Sequence, residues 1–306
     1  MKKYILALLA ITLSLTVSAS QLPMRLWYNS PAQYFEESLP IGNGKLGALV
    51  YGNPDQDILY LNDLTFWTGK TVNPNEGDDA YKYIPLIRQE LFKENYKEAD
   101  ILQHMVQGHN SENYQPLSTL KINDYAKGSV SNYYRELDID SAITKIKYTR
   151  GDVNFYREYF ASNPDKLIAI HLSASKKASI NCEILLTGQT PHKVKASEKQ
   201  ITMLGNAIGD PKESIHFCSI LKADNKGGKI EVTDSTLQII NADEATLYFV
   251  NETSFNGFDK HPVNEGADYI ENATNDIWHT VNYTYQQFRE RHISDYRKIY
   301  SRLSLN

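Results

Sequence analysis

Apolar and polar residues alternate along much of the chain, most clearly between residues 133 and 162. In YYRELDIDSAITKIKYTRGDVNFYREYFAS the apolar positions recur with a period near two, the period at which side chains share one face of a β-strand. Arg150-Gly151-Asp152 interrupts the pattern with residues typical of a turn. The segment therefore predicts a β-hairpin, with periodic apolar residues Leu137, Ile139, Ile146, Tyr148, Val153, Phe155 and Tyr159.

Similar short strand-like segments extend from Leu22 to about Phe258. They read LIAIHLSA, INCEILLTG, IHFCSILKA, KIEVTDSTLQII and ATLYFVNETSF, with a further turn at residues 225–228. Long helices do not alternate with these segments, which argues against a parallel doubly wound sheet. The predicted fold class is therefore mainly β, built as an antiparallel sandwich.

A helical insertion interrupts the strands in DDAYKYIPLIRQELFKENYKEADILQHMVQG. Asp78 and Asp79 are candidate N-terminal caps, and Gly108 ends the run. Residues spaced by three and four positions place one apolar face on this segment: Ile84, Ile87 and Leu91.

A second helical segment ends the chain. Its apolar stripe has the spacing of one long helix: Val281, Tyr285, Phe288, His292, Tyr296, Ile299 and Leu303. Asn272, Ala273 and Thr274 form a predicted polar link before it. Because an apolar stripe has to be buried, this helix either packs back on the sandwich or leads, through Leu303 and Leu305, into a further domain.

The stretch LPIGNGKLGALVYGN, residues 39–53, has the G-x-G-x-x-G spacing of a dinucleotide-binding loop at Gly42, Gly44 and Gly47. That fingerprint requires a strand before the glycines and a helix after them. Here Ser38-Leu39-Pro40 precedes the glycines and the apolar, strand-like ALVYG follows. We therefore expect tight turns and no nucleotide, and we predict no cofactor.

Charge and composition narrow the range of possible binding partners. The formal net charge is −5 with no long basic run, which argues against a nucleic-acid partner. The 21 tyrosines suit strands and also suit sugar-binding surfaces.

The first twenty residues have the pattern of a secretory signal peptide. Lys2 and Lys3 precede an apolar run over 5–17, and small residues follow, with a cleavage site expected near Ala19 or Ser20. The run is too short for a retained membrane span. We therefore predict an exported protein, periplasmic or extracellular, with no membrane span.

Two cysteines remain, Cys182 and Cys218, both in apolar strand-like segments. Export permits a disulfide, but pairing needs a close approach of the two Cα atoms that a sequence does not give. Buried free thiols are the interpretation we favour.

The usual catalytic motifs are missing from the sequence. No histidine pair has metal-ligand spacing, so no metal is predicted, and no G-x-S-x-G elbow is present. Glycoside hydrolysis needs two carboxyl groups about the scissile bond, yet no pair stands out. We interpret the four acidic residues near the glycine stretch as solvated charges or turn formers: Glu36, Glu37, Asp57 and Asp63.

Five stretches, taken together, resemble one family. They are LPIGNGKLGALVYG with LNDLTFWTGKTVNPN, IRQELFKENYKEAD with YQPLSTLKI, the long hairpin segment continuing to LIAIHLSA, ADEATLYFVNETSFNGFDKHP, and HISDYRKIYSRLSL. Their order and spacing, from about Leu26 to Leu305, are similar to the N-terminal domain of glycoside hydrolase family 95, the family of α-L-fucosidases.

This resemblance implies an architecture. Residues 1–20 would be the signal peptide, 21–265 an antiparallel β-super-sandwich with a helical insertion, and 266–306 a C-terminal linker helix leading into an (α/α)6 barrel. In the family that barrel holds the catalytic groups, which hydrolyse α-L-fucosides with inversion. We therefore expect a chain truncated before the barrel, without catalytic residues of its own and inactive alone.

The resemblance also singles out three residues near the expected barrel. Trp67 would border the sugar cleft, or else pack in the core or the domain interface, which we favour. Asn43 and Asn62 would line the cleft or hold turns. The expected partner is a fucosylated glycan or a separately encoded barrel. The alternative function is a stand-alone carbohydrate-binding or assembly module without catalysis.

Overall fold

The protein folds into two antiparallel β-sheets packed face to face. The computed structural model describes residues 24–69, 77, 79–107 and 112–303, so the predicted signal peptide, Asp78, Gly108 and Leu305 lie outside the described residues. In this part the chain is mainly strand, and the predicted mainly β fold class is confirmed. No helix in the described ranges is long and apolar enough to cross a membrane.

The larger sheet has nine strands in the described chain. In spatial order they are β1 (Arg25–Tyr28), β6 (Val130–Asp138), β7 (Ile143–Arg150), β8 (Val153–Ser162), β9 (Leu167–Ala174), β16 (Glu244–Thr253), β13 (His216–Lys226), β12 (Gln200–Asn206) and β11 (His192–Ser197). The predicted hairpin is confirmed as β7–β8, in which Arg150 pairs with Val153 across Gly151.

The smaller sheet has seven strands among the residues that the structure describes. Their spatial order is β14 (Lys229–Val232), β15 (Thr236–Ala242), β10 (Ile180–Thr187), β5 (Ser118–Asp124), β4 (Gln56–Asp63), β3 (Leu46–Val50) and β2 (Leu39–Gly42). The glycine stretch forms the β2–β3 hairpin, as its strand-like continuation predicts. Gly44 has a φ of +92°, which other residues rarely adopt.

The main core lies between the two sheets. Along β4, for example, Leu59 and Leu61 are buried while Tyr60 and Asn62 point to the other side and are partly exposed. Both sheets contribute alternate residues to this core, so each keeps one outer face.

Helices cover the outer face of the nine-stranded sheet. Helices α3 (Tyr269–Trp278) and α4 (Tyr285–Tyr300) flank a 3₁₀ turn at His279–Asn282. Their residues Ala273, Ile277 and Phe288 are buried against strand residues that include Phe160 and Val250. The C-terminal helix therefore packs back on the sandwich.

Two expectations about this region are wrong. Residues 272–274 are not a polar link, because they lie inside α3. The apolar stripe is not one helix either, since α4 begins after Thr284 and the stripe residue Val281 is exposed in the preceding turn. Toward the end of the stripe, Ile299 and Leu303 are also exposed.

The helical insertion between β4 and β5 is confirmed as two short helices, α1 (Ile84–Phe92) and α2 (Tyr96–Gln103), after a 3₁₀ turn at Ala80–Lys82. Asp79 precedes that turn, but its side chain makes no capping hydrogen bond. Only Ala99 is buried within the two helices, and several large apolar side chains are exposed: Tyr81, Ile84, Leu86, Leu91, Phe92, Tyr96 and Ile101.

The two cysteines are free and buried, as we favoured. Cys182 lies in the core between the sheets, whereas Cys218 lies in the cluster under α3 and α4. Burial raises the pKa of each thiol to about 12, so both are poor nucleophiles in the folded protein.

Candidate functional site

A cavity of about 470 Å³ opens beside the loop that follows β4. We name it the aromatic pocket. Its walls come from the two ends of the β4–β5 connection and from the segments before β13 and after β16. The lining residues are Leu64, Thr65, Trp67, Thr68, Gly69, Glu112, Ile215, Phe255, Gly257, Phe258, Lys260 and Pro262.

Trp67 is held at the mouth of this pocket. Its Nε1 donates to the carbonyl of Leu64 at 2.9 Å, and its ring meets that of Tyr114 edge to face, with centroids 6.2 Å apart. The residue as a whole is still 41% exposed. Trp67 is therefore fixed in orientation while leaving much of its indole available for contact.

A buried carboxylate shapes the turn that carries Trp67. Asp63 accepts hydrogen bonds from the backbone N–H of Thr65 at 2.9 Å and from the Thr65 hydroxyl at 2.6 Å. Its other oxygen accepts from Nδ2 of Asn251 at 2.8 Å. Thr253 in turn contacts the Thr65 hydroxyl at 2.6 Å. The network joins the turn to β16 of the opposite sheet.

Our interpretation of Asp57 and Asp63 as solvated charges or turn formers is wrong in part, because both are fully buried. Asp63 does hold a turn, but its carboxylate is buried and not solvated. Asp57 accepts from the Tyr159 hydroxyl at 2.5 Å and from the Gly52 N–H at 2.7 Å. Burial raises the pKa of Asp57, against opposing effects of Arg157 and Tyr159. Both aspartates therefore have structural roles.

A second cavity, of about 540 Å³, crosses the outer face of the seven-stranded sheet. We name it the sheet groove. Strands β2 to β5, the turn before β2 and the loop after β10 form its walls. The lining residues are Phe35, Pro40, Ile41, Gly47, Ala48, Leu49, Tyr51, Tyr60, Leu61, Asn62, Tyr114, Pro116, Ser118, Thr119, Gly188 and Gln189.

The three residues singled out in the sequence lie in different places. Trp67 lines the aromatic pocket and Asn62 lines the sheet groove, with Tyr114 lining the groove while its ring contacts Trp67. Asn43 instead holds the β2–β3 turn, since its Oδ1 accepts from the N–H groups of Lys45 and Leu46. The structure thus brings Asn62 and Trp67 to neighbouring cavities and leaves Asn43 in a turn.

Several pocket residues escaped sequence reasoning. Tyr114 reaches Trp67 through an isolated antiparallel bridge between residues 47 positions apart, and Phe255 and Phe258 arrive from a third segment. In the sequence, each of these residues is marked only as an aromatic side chain within a polar loop. Long-range pairing of this kind does not show in a single sequence.

Carboxylates are sparse in both cavities. Among the described residues that line the aromatic pocket, only Glu112 carries one, and it accepts from the Thr68 hydroxyl at 2.8 Å. The described lining of the sheet groove contains none. An inverting glycosidase holds two carboxyl groups about 6.5–9.5 Å apart around a water molecule. Neither cavity has that arrangement in its described lining.

Two neighbouring carboxylates lie on the outer face of the nine-stranded sheet. Glu252 and Asp276 lie close enough to affect each other's charge, and Lys45 contacts Glu252. Burial, reinforced by Asp276 and opposed by Lys45, raises the pKa of Glu252. Neighbouring carboxylates that interact so closely are not the separated pair that an inverting glycosidase holds around a water. No cluster of His, Cys, Asp or Glu that could hold a metal occurs in the described ranges.

Comparison with known sequences gives consistent matches. Residues 26–257 match the family described as "Glycosyl hydrolase family 65, N-terminal domain". "Alpha-L-fucosidase 2" of Arabidopsis thaliana is 29% identical over 309 residues, covering 93% of this chain and 36% of the relative. "Probable alpha-fucosidase A" of Aspergillus niger is 26% identical over 307 residues, covering 92% and 37%. The chain thus spans little more than a third of these relatives.

The predicted resemblance to the N-terminal domain of α-L-fucosidase-like hydrolases is confirmed by these matches. The assignment to family 95 stays a prediction, because the matching family carries the number 65.

Among solved structures, a protein titled "Putative kojibiose phosphorylase from human microbiome" is similar in fold. It superposes with a TM-score of 0.52 at 9% sequence identity, covering 91% of this chain and 39% of that chain. At this identity the similarity concerns the fold alone.

Proposed function

The chain belongs to the N-terminal domain family of glycosyl hydrolase family 65, and from this premise we propose that it is the non-catalytic N-terminal portion of an α-L-fucosidase-like hydrolase. The whole enzyme would remove terminal α-L-fucosyl groups with inversion, as in family 95. The α-fucosidase relatives, each aligned over more than nine tenths of this chain, support the proposal. Export, suggested by the pattern of residues 2–20, would bring the enzyme to extracellular or periplasmic glycans.

The observation that carries the proposal is the accumulation of exposed apolar side chains on one connection. Trp67, Tyr114 and the helical insertion all belong to the segment between β4 and β5, and Leu64, Phe92 and Tyr96 are more than 60% exposed there. Large exposed apolar surfaces mark interaction sites. We infer that this connection faces the catalytic part of the enzyme and that the aromatic pocket borders its sugar cleft.

The sparse carboxylates of the two cavities fit a supporting role. The general acid and the water-activating groups would come from the catalytic barrel, whether on the same polypeptide or encoded separately. The sandwich would supply an aromatic wall, since ring faces pack well against the apolar face of a pyranose.

Immunoprecipitation from an extract of the source organism tests this function. An antibody against the sandwich is expected to precipitate activity that releases 4-nitrophenol from 4-nitrophenyl α-L-fucoside. The control is the same antibody, pre-absorbed with purified chain, which is expected to precipitate none. A precipitate that contains the chain but hydrolyses no α-L-fucoside would refute the proposed function.

A further inference from the structure

The C-terminal helix leaves part of the nine-stranded sheet uncovered on its outer face. Helix α4 reaches over the β6–β7 turn, where His292 contacts the carbonyl of Ser141 at 3.0 Å and Tyr296 donates to that of Ile139 at 2.8 Å. Away from this turn, the outward side chains of β1, β6, β7 and β8 are exposed or only partly buried. We name this area the tryptophan platform, which consists of Trp27, Tyr134, Lys145, Lys147 and Tyr156.

The strand register places the members of the platform side by side. Tyr134 pairs with Lys147 across β6 and β7, and Lys147 pairs with Tyr156 across β7 and β8. On the edge strand, Trp27 pairs with Glu136, which lies two positions after Tyr134 and therefore on the same face. Since neighbouring strands are about 4.8 Å apart, the platform extends over roughly 14 Å from β1 to β8.

The rings of the platform are accessible, and two of them lie along the sheet. The Tyr134 hydroxyl donates to Glu136 at 2.6 Å, two positions along the same strand, so the ring lies along β6. The Trp27 ring is inclined to it by only 22°, with the centroids 6.2 Å apart. Trp27 is 57% exposed, and Tyr156 on the far strand is 39% exposed. Accessible ring faces suit a pyranose, whose C–H bonds pack on them while its hydroxyls stay at the edge.

The carboxylates around the platform are already paired with cations. An oxygen of Glu136 lies 3.4 Å from the guanidinium of Arg25, and the other lies 3.5 Å from the ammonium of Lys145. Farther along the same face, Glu158 accepts from Nε of Arg289 on α4 at 3.2 Å. These pairs leave little negative charge on this face to repel an acidic ligand.

Lys147 differs from these charges, because it is exposed and has no hydrogen bond or ion pair among the described residues. It lies between Tyr134 and Tyr156, on a chain with a formal net charge of −5. An unpaired cation between two rings attracts an acidic group. We propose that the tryptophan platform binds an acidic oligosaccharide, with a carboxylate at Lys147 and pyranose rings on Trp27 and Tyr156.

A hollow of about 130 Å³ beside Lys147 and Tyr156 agrees with this assignment. Sites that enclose a whole small molecule usually have at least about 300 Å³. The hollow is therefore suited to one substituent of a ligand whose rings lie across the open platform. The inference rests on this face of the sheet and does not depend on the proposed fucosidase function.

Other ligands fit the platform less well. An apolar protein segment would remove the Lys147 ammonium from water without a counter-charge, which is costly. A nucleic acid would stack on the rings, but its affinity depends on several phosphate contacts. Among the platform residues that the structure describes, Lys147 is the one cation that no carboxylate pairs.

The test begins with the purified chain on an array of acidic glycans, which includes trigalacturonic acid and 3′-sialyllactose. Each acidic glycan that binds is titrated by calorimetry beside its neutral methyl ester, which is expected to bind more weakly. Trp27→Ala is expected to weaken binding of the acid about tenfold, as loss of an aromatic anchor commonly does. Lys147→Gln is expected to weaken binding of the acid up to about fivefold and to leave that of the ester unchanged.

The matched controls are an equally accessible tryptophan and an exposed lysine elsewhere in the chain. Trp278 at the end of α3 is 66% exposed, and Lys97 on α2 is exposed as well. Trp278→Ala and Lys97→Gln are both expected to leave affinity unchanged. Circular dichroism shows whether each variant remains folded, and the exposed Lys147 keeps the test valid if loss of Trp27 disturbs the edge strand.

Three results would overturn the inference. They are no binding across the acidic array, equal affinity for the acid and its methyl ester, and affinity unchanged in both platform variants. Binding that Trp67→Ala abolishes and Trp27→Ala leaves intact would assign the sugar to the aromatic pocket and refute the platform. A dimer that Trp27→Ala dissociates in sedimentation would refute it too, by making this face a protein interface.

Discussion

The two sheets of the sandwich differ on their outer faces. Helices α3 and α4 bury the outer face of the nine-stranded sheet around Phe288, whereas no described helix covers the sheet groove on the seven-stranded sheet. The covered face is apolar and closed, whereas the open face carries aromatic side chains that include Phe35 and Tyr60. The difference indicates that the first face stabilises the fold, whereas the second face contributes less apolar burial.

The largest expected effect lies on the covered face. Phe288 is fully buried, and its ring lies 5.3 Å from that of Tyr248 and 5.4 Å from that of Tyr283. Phe288→Ala should lower the free energy of unfolding by about 3–5 kcal/mol, because it leaves a cavity beneath α4. Urea denaturation followed by circular dichroism measures the change.

The matched control for that variant lies on the same helix. Ile299 is 71% exposed, so Ile299→Ala should change stability by about 0.5 kcal/mol or less. Equal losses in the two variants would show that α4 does not pack on the sheet as described.

The next effect concerns the turn beneath the aromatic pocket. Asp63→Ala removes the acceptor for Thr65 and Asn251, and should lower the free energy of unfolding by about 2–3 kcal/mol. It should also speed amide hydrogen exchange over residues 64–68. Asp152→Ala is the control, since that aspartate is exposed at the β7–β8 turn, and we expect little change. An unchanged exchange rate in the Asp63 variant would show that this hydrogen-bond network does not hold the turn that carries Trp67.

The smallest expected effect is a pH dependence of the free energy of unfolding, which comes from two histidines on the covered face. Burial lowers the pKa of His292 and of His171, whose ring stacks on Tyr285. Below about pH 6.5 an unfolded histidine gains a proton that the folded one resists. The unfolded state then binds more protons, so the free energy of unfolding falls as the pH falls, by at most about 1.4 kcal/mol per pH unit for each histidine.

His292→Gln keeps an N–H donor toward Ser141 but cannot titrate. Denaturation at pH 7.5 and pH 5.5 should therefore show a smaller difference in this variant than in the native protein. His104→Gln, at an exposed histidine of the helical insertion, serves as control and should leave the difference unchanged. An identical pH dependence in all three proteins would contradict the assigned role of His292.

Local patterns in the sequence predicted the strands well, because a strand that is buried on one face alternates apolar and polar residues. The same alternation also indicates which acidic residues of β4 are buried. Asp57 and Asp63 lie in phase with Leu59 and Leu61 on β4, so the alternation itself points both carboxylates inward. The burial of the two aspartates was not predicted because acidic residues are usually solvated.

The break between α3 and α4 was missed for a different reason. The apolar spacing continues through Val281, yet Thr284 and Gln287 form a capping box that starts α4, and Asp268 caps α3 through the N–H of Glu271. Capping residues mark helix starts that periodicity alone does not show. The aromatic pocket was harder to predict still, because its walls come from segments that only the folded chain brings together.

The decisive measurement is the hydrolysis of 4-nitrophenyl α-L-fucoside by the purified chain. We expect no release of 4-nitrophenol above the buffer blank, because the catalytic groups would belong to the proposed barrel. Release that rises in proportion to the chain's concentration would contradict the non-catalytic role proposed for this chain and would place a catalytic site within the sandwich.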